Sequence, residues 1–568
     1  MQGEIDMMDQ YIATPNNKAV LYDARAKGNY DFYTLTSTDV GTGTATVLGD
    51  TSATAISGNY GFSGATGIDV YSFFGDAYLY NAGAASAGAY TGDYGAAIAQ
   101  GAIVDGYGYT QALGAGSFSA IAEAGYDGYA FANGITVTSY ADSAYLFNGG
   151  GISANATVGD GNYGQAVAIA AGVYGYFYAT AFSYGDVDAH ATAGDYGAAF
   201  AQGFNIQASN GSAYLLNGGA ADVTASASPY ADGGIATAIG AYVGGSVDAT
   251  VINSGSMSVS ATTGDYGNSS ATGIIVAAGT YYGYLYNGSG ISANASAGDF
   301  GTATAQGAGV YGPYGAYTIS PAYISATASV GDYGLATATG SVTYSSGGYA
   351  YLYSGELMSA SATAGGNSDA YATGAMVQGT GYAGAYSVGD VTAYASAGDY
   401  SNVTANGLSV FTDGYAYMYN GGAISATALG GDNSTAYAEA AATFGNAYAT
   451  TINNGEIDAY ASTGLNGYST AVGSLTIATQ GYAYLYNAAN TITATAYSGD
   501  NGTSAAIASV VYGQYGAYAI SPGGITAIAD SGDNGYSLAI GNQTISPQGY
   551  AFLYSGYAIS ATATAGDN

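Results

Sequence analysis

Aspartate side chains recur along this sequence at a regular spacing, and they are the groups best placed to do chemistry. A Gly-Asp pair returns at intervals of 33 to 35 residues, or of about twice that length. If successive repeats stack directly, the carboxylates form a row about 4.8 Å apart, where two charges repel by about 0.9 kcal/mol even in a water-like dielectric. Carboxylate oxygens are ligands that Ca²⁺ prefers. We therefore expect a cation row formed by Asp93, Asp195, Asp265, Asp332, Asp399 and Asp533.

The same aspartates have a simpler interpretation as turn formers. An Asp side chain in a turn accepts hydrogen bonds from nearby backbone. The Gly-Asp spacing also differs from the nonapeptide pattern of Ca²⁺-binding β-helix repeats. Both roles stay open at this point, and Ca²⁺ is the only cofactor that we expect.

Other groups that support catalysis are scarce. The 568 residues include no cysteine and one histidine, His190, and the only basic residues are Lys18, Arg25 and Lys27. The acidic residues recur in a repeated context that singles out no pair for acid–base catalysis. We therefore predict that the protein is not an enzyme. Because the net charge is −34, we also expect no binding to nucleic acid, and no apolar run is long enough for insertion into a membrane.

The residues between the aspartates form three strand-length segments in each repeat of about 34 residues. Each repeat reads approximately YAYLYNGG, then AISATATAG, then DYGxATAxGIxV, and turn formers separate the three segments. Apolar and polar residues alternate with a period of two, which is the period of β-strands. The sequence therefore predicts an all-β repeat protein.

A longer period overlies the first. Leucine or methionine at the centre of the Tyr-Leu-Tyr-Asn segment returns every 66 to 70 residues, so two unlike repeats form a pair. This pairing fits a β-solenoid with one repeat per turn, or an antiparallel meander in which equivalent strands alternate in direction. We favour the solenoid, because inward Ala and Gly are too small to hold a wide meander against a second layer.

Tyrosine is the residue that suggests how the molecule is used. The chain contains 62 tyrosines, and on the outer face of stacked strands they form aromatic rows that suit packing of one chain on another. We expect a structural protein of the cell surface or extracellular space that associates with itself into a fibre, sheet or sheath. The alternative is an adhesin or passenger stalk that displays a binding face. Residues 1–6 lack the features of a signal peptide, so export would use a removed leader or another route.

The first 45 residues differ from the remainder. They contain every basic residue and no Gly-Asp pair. We predict that residues 1–45 form a cap or a docking segment, and that residues 46–568 form the repetitive solenoid body. Solenoids need their open ends covered, whereas a basic segment could also dock on an acidic neighbour.

Two known groups of proteins have similar repeats. The segment NGGAISA at residues 420–426 resembles repeats of β-helical autotransporter passengers and adhesins. The composition of residues 45–568, with its repetition, resembles that of the major sheath proteins of filamentous methanogenic archaea. That resemblance implies a durable, amyloid-like, β-stacked wall protein without catalytic residues.

Overall fold

Parallel β-strands stacked turn upon turn form the fold. The computed structural model describes residues 11–14, 17–20, 30–39, 42–159, 163–227, 233–488 and 490–566, with only the backbone before residue 42. Every regular element among these residues is a strand, and three parallel sheets form a β-solenoid with a spacing of about 34 residues. The predicted solenoid is confirmed. The antiparallel meander is wrong, since equivalent strands of successive turns run in the same direction.

One turn contains three strands. In a typical turn they are Leu335–Ser345, Tyr349–Ser354 and Met358–Thr363. We call the sheets to which they belong the long sheet, the tyrosine sheet and the alanine sheet. The chain divides into two compact units, unit 1 at residues 1–280 and unit 2 at residues 281–568, and the same three sheets occur in each.

In unit 1 the strands of the long sheet have the following bounds: Tyr30–Asp39, Phe62–Ser72, Ala96–Gly106, Tyr129–Ser139, Gln165–Gly175, Ala198–Ala208, Ile235–Gly245 and Asn268–Ala278. The tyrosine sheet contains Gly43–Val47, Ala77–Asn81, Thr110–Gly114, Ala144–Asn148, Tyr178–Ser183, Ser212–Asn217 and Ala249–Asn253. The alanine sheet contains Thr51–Ile56, Ala85–Tyr90, Phe118–Ala124, Ile152–Val158, Val187–Ala193, Ala221–Ala227 and Met257–Thr262. The two first strands, Tyr11–Thr14 and Asn17–Val20, pair antiparallel with each other.

In unit 2 the strands of the long sheet are Thr302–Tyr311, Leu335–Ser345, Asp369–Gly379, Asn402–Thr412, Thr435–Gly445, Tyr468–Ala478, Thr503–Gly513 and Tyr536–Ile545. The tyrosine sheet contains Tyr282–Asn287, Gly315–Ser320, Tyr349–Ser354, Tyr382–Ser387, Tyr415–Asn420, Tyr448–Asn453, Tyr482–Asn487, Gly516–Ser521 and Tyr550–Ser555. The alanine sheet contains Ile291–Ser296, Ile324–Ser329, Met358–Thr363, Val391–Ser396, Ala423–Leu429, Glu456–Ser462, Ile492–Ser498, Ile525–Ser531 and Ile559–Ala565.

The parallel register of the long sheet begins within the predicted cap. Tyr30–Asp39 pairs in parallel with Phe62–Ser72, the next strand of the long sheet. Arg25 and Lys27 lie outside the described residues, and of Lys18 only the backbone is described. Whether residues 1–45 act as a cap or as a docking segment therefore stays a prediction.

Alternation of large and small inward side chains explains the doubled period. In unit 2 the buried Leu352 lies between Thr318 and Ala385 of the neighbouring turns, and Met418 lies between Ala385 and Thr451. Adjacent turns are about 4.8 Å apart. We attribute the alternation to close packing, because a large side chain at every turn would crowd the narrow interior, whereas alternate large and small residues fill it without voids.

A column of buried asparagine and serine runs beside these residues at the end of the tyrosine sheet. In unit 2 the amide of Asn420 donates to Asn453 at 2.8 Å, and Asn453 donates to Asn487 at 2.8 Å. The amide of Asn487 donates to the hydroxyl of Ser521 at 3.0 Å. These side chains are fully buried, so each turn supplies the hydrogen bond that its neighbour needs.

Candidate functional site

The six aspartates of the predicted cation row lie at one kind of corner. Asp93, Asp195, Asp265, Asp332, Asp399 and Asp533 each lie between a strand of the alanine sheet and the next strand of the long sheet. The residue after each Asp is in a two-residue turn, and at several of these corners it has positive φ, as at Tyr94 (φ 55°) and Tyr400 (φ 58°). Other turns place asparagine there, as at Asn433 (φ 54°), and asparagine tolerates this left-handed conformation better than most residues.

The carboxylates of these corners bond the backbone of the next turn. Oδ1 of Asp332 accepts a hydrogen bond from the backbone N–H of Gly366 at 2.7 Å, and Oδ1 of Asp399 accepts one from Asp432 at 2.8 Å. Oδ1 of Asp93 accepts one from Tyr126 at 3.1 Å. The side chain thus continues the hydrogen-bonded ladder around a corner where the strands have ended. The bond from side chain to backbone that the turn-forming interpretation expected is present, and it joins two neighbouring turns of the solenoid.

The corner geometry leaves the cation prediction open. The six carboxylates lie at the same kind of corner, but no two of the six lie in adjacent turns; between Asp332 and Asp399 the equivalent place is held by Gly366. Among the residues that the structure describes, no three His, Cys, Asp or Glu side chains converge on a point where one metal ion would sit. Any ion would therefore be held between turns by one or two carboxylates, with water completing its shell.

We predict that the Asp399→Asn variant separates the two roles. Its amide oxygen can still accept the bond from the N–H of Asp432, but the charge is gone. The variant should keep the thermal stability of the parent in chelator and show a smaller stabilisation by Ca²⁺. Differential scanning calorimetry with Ca²⁺ and with EDTA measures both quantities. An identical melting profile of the parent chain in the two conditions would leave only the turn role.

A pair of carboxyl groups lies on the outer face of the long sheet in unit 1. Asp69 and Asp105 lie on neighbouring strands, with Asp69 beside Ile103 and Asp105 beside Tyr71. Burial, and then repulsion from Asp105, raise the pKa of Asp69 from 3.8 to about 6. Burial also raises the pKa of Asp105, and a hydrogen bond from Thr138 partly offsets that increase. Sequence reasoning missed this pair, because its members are far apart in the chain and neither belongs to the Gly-Asp pattern.

The raised pKa of Asp69 predicts a pH-dependent stability. Between its ordinary pKa of 3.8 and its folded-state pKa of about 6, the folded state binds a proton that the unfolded state has lost. Stability should therefore rise as the pH falls through 6 and level off below 4. Asp69→Asn should stabilise unit 1 by on the order of 2 kcal/mol at pH 7 and by little near pH 4. Urea unfolding at the two pH values measures this, with the exposed Asp222→Asn as control.

Tyrosines cover the outer surface of the tyrosine sheet in unit 2. We call the outward side chains of this sheet, from Tyr282–Asn287 to Tyr550–Ser555, the tyrosine face. Most of its positions hold tyrosine; the others hold glycine, isoleucine, threonine or phenylalanine, and none is charged. Its tyrosines are Tyr282, Tyr284, Tyr286, Tyr317, Tyr349, Tyr351, Tyr353, Tyr382, Tyr386, Tyr415, Tyr417, Tyr419, Tyr448, Tyr482, Tyr484, Tyr486, Tyr518, Tyr550 and Tyr554.

Register and stacking align many of these rings in rows. The rings of Tyr386 and Tyr419 are parallel within 7° with centroids 4.3 Å apart, and those of Tyr415 and Tyr448 within 5° at 4.9 Å. Tyr484 and Tyr518 stack at 4.9 Å. The rings remain accessible, with Tyr415 54% exposed. The prediction of aromatic rows on an outer face is confirmed.

Comparison with known proteins identified no similar protein. The chain matches no protein-family model, no curated protein and no solved structure. In the part of the chain that the structure describes, no helix has the length and apolar character needed to cross a membrane.

Proposed function

We propose that the protein is a structural, non-enzymatic component of an extracellular assembly, and that copies of it associate side by side through the tyrosine face. The observation that carries this proposal is the combination of aligned, accessible rings and the absence of charge on that face. The occupant of the face is a second copy of the same chain.

Charge favours the tyrosine face over the alanine sheet for contact between copies. The chain has a net charge of −34, and no Lys or Arg follows Lys27. Two such bodies repel each other wherever acidic surfaces meet. In unit 2 the alanine sheet has acidic outward residues, among them Glu456, Asp458 and Asp530, whereas the tyrosine face has none. Contact through the tyrosine face therefore incurs a smaller electrostatic cost than contact through the alanine sheet.

The size of the face also suits association. Nine strands about 4.8 Å apart, each of about six residues, cover about 800 Å², which is the area that one partner contributes to a standard protein interface. Tyrosine adds apolar contact through its ring and hydrogen bonding through its hydroxyl. Because neighbouring rings already stack within the chain, little side-chain freedom remains to be lost on association.

Electron microscopy of the purified full-length chain tests the proposal. Fibres, sheets or tubes in which molecules lie side by side are the expected result. Single rods at every concentration would contradict it and would favour the alternative, a stalk that displays a binding face as a monomer.

A further inference from the structure

A shallow groove crosses the outer surface of unit 1 where the strands of the long sheet end. It has a volume of about 520 Å³ and runs over five successive turns, from Thr138 to Gly279. Tyr140, Tyr174 and Tyr242 line it together with Gln207 and Ser246, and no residue of the lining is charged. The groove lies on the long sheet, so it is separate from the tyrosine face.

Two of the tyrosines pack closely against glycine. A Cβ atom placed on Gly244 would be 2.9 Å from Cε1 of Tyr242, and one on Gly172 would be 2.9 Å from Cε2 of Tyr174. Each ring therefore packs against the backbone of its own strand and remains partly accessible. In strands, glycine often marks a site where another group approaches the backbone closely, and here that group is the aromatic ring.

Polar side chains hold the floor of the groove in place. The hydroxyl of Tyr174 accepts a hydrogen bond from the amide of Asn205 at 3.0 Å. The amide of Gln207 donates to Oδ1 of Asn205 at 2.8 Å. Gln207 is itself exposed to the groove. The surface thus combines aromatic rings with amide and hydroxyl groups, and hydrogen bonds link Tyr174, Asn205 and Gln207.

We propose that this groove binds a neutral polysaccharide chain. A pyranose ring has an apolar face that stacks on an aromatic ring and hydroxyl groups that bond amides and hydroxyls, which is the set of groups present here. The open form of the groove suits a polymer that passes through it. Its turns follow one another about every 4.8 Å, close to the length of one pyranose unit in an extended chain. An anionic polymer would be repelled by the acidic body.

A smaller groove recurs at the same corner of unit 2. It has a volume of about 240 Å³ and is lined by Tyr344, Gln378, Phe411 and Phe444, among others. Phe411 and Phe444 are parallel within 8° with ring centroids 5.1 Å apart. Aromatic rings beside a glutamine at the ends of the long strands are therefore a feature of both units. Because this lining includes Asp413, the proposal is restricted to the groove of unit 1.

Isothermal titration calorimetry of the full-length chain with cellohexaose, laminarihexaose and chitohexaose tests the proposal. We expect binding of at least one of them, with protection from hydrogen exchange in the strands Gln165–Gly175 and Ile235–Gly245. Tyr242→Ala should weaken that binding roughly tenfold, and Tyr242→Phe much less, because the ring remains. Gly244→Ala should weaken it by tilting the ring of Tyr242 while leaving its chemistry intact.

Gly309→Ala is the matched control. Its Cβ would be 2.9 Å from Cε2 of Tyr311, as in unit 1, and also 2.7 Å from Nε2 of Gln306. Because it lies in unit 2, it should leave saccharide binding in unit 1 unchanged. Circular dichroism of each variant verifies that it is folded. The proposal is overturned if none of the three saccharides binds, or if binding is the same in Tyr242→Ala and Gly244→Ala as in the parent.

Discussion

Replacing Tyr484 and Tyr486 with serine is expected to weaken side-by-side association strongly while leaving the solenoid folded. Both side chains point outward from the tyrosine face, at 39% and 42% exposure, so their removal opens no cavity. The double variant loses two aromatic surfaces from the contact between copies, and such anchors supply most of the energy of an interface. The measurement is the fraction of chain that sediments as assemblies at a fixed concentration.

The matched control replaces two tyrosines on the alanine sheet. Tyr394 and Tyr497 are 40% and 36% exposed, so Tyr394→Ser with Tyr497→Ser changes composition and exposed aromatic area to the same extent. This control should assemble like the parent. Equal loss of assembly in both double variants would mean that tyrosine acts without regard to the face on which it lies, and the role of the tyrosine face would then be wrong.

Replacing Asn453 with alanine is expected to have the largest effect on stability. Asn453 is fully buried and bonds Asn420 on one side and Asn487 on the other. Without the side chain of Asn453, a buried amide hydrogen of Asn420 loses its acceptor and the buried amide oxygen of Asn487 loses its donor. Because each such group costs about 1–3 kcal/mol, we expect a local loss of about 2–4 kcal/mol. Hydrogen exchange of the strands Tyr415–Asn420 and Tyr482–Asn487 measures it.

Two further variants sharpen this experiment. Asn453→Ser should cost less, since serine already occupies the same column at Ser320, Ser354, Ser387 and Ser521. Asn454→Ala changes the next residue, which is exposed and donates to the hydroxyl of Tyr419, and should change stability by no more than about 0.5 kcal/mol. If Asn453→Ala were as mild as Asn454→Ala, the buried column would not stabilise the fold.

The repeat period left both a solenoid and a meander open, and the small inward residues favoured the solenoid. Each repeat contains three segments with the period of a β-strand, which predicts three strands per turn. The large side chains Leu352 and Met418 lie in alternate turns because the interior is narrow. The corner position of the aspartates followed from the same pattern. Their bonds to the next turn did not, because a side chain that bridges turns depends on the exact stacking of two corners.

Sites formed by residues from several turns were beyond sequence reasoning. Asp69 and Asp105 are brought together because both lie outward on neighbouring long strands. Within a strand of the long sheet the alternation of inward and outward positions is interrupted where two consecutive residues are buried, as at Gly340 and Ser341. The groove beside Tyr174 and Tyr242 combines residues of five turns. A consensus sequence of the repeat does not show the individual side chains that form the groove.

The claim that copies of this acidic chain associate through an uncharged aromatic surface is tested most directly by sedimentation velocity across salt concentrations. Sodium chloride at about 1 M screens repulsion between like charges and strengthens apolar contact. The account therefore predicts that assemblies persist or grow in molar salt, and that the Tyr484→Ser and Tyr486→Ser double variant forms fewer and smaller side-by-side assemblies than the parent in both conditions. Dissociation of the parent assemblies by salt, or a single chain at every concentration, would contradict it.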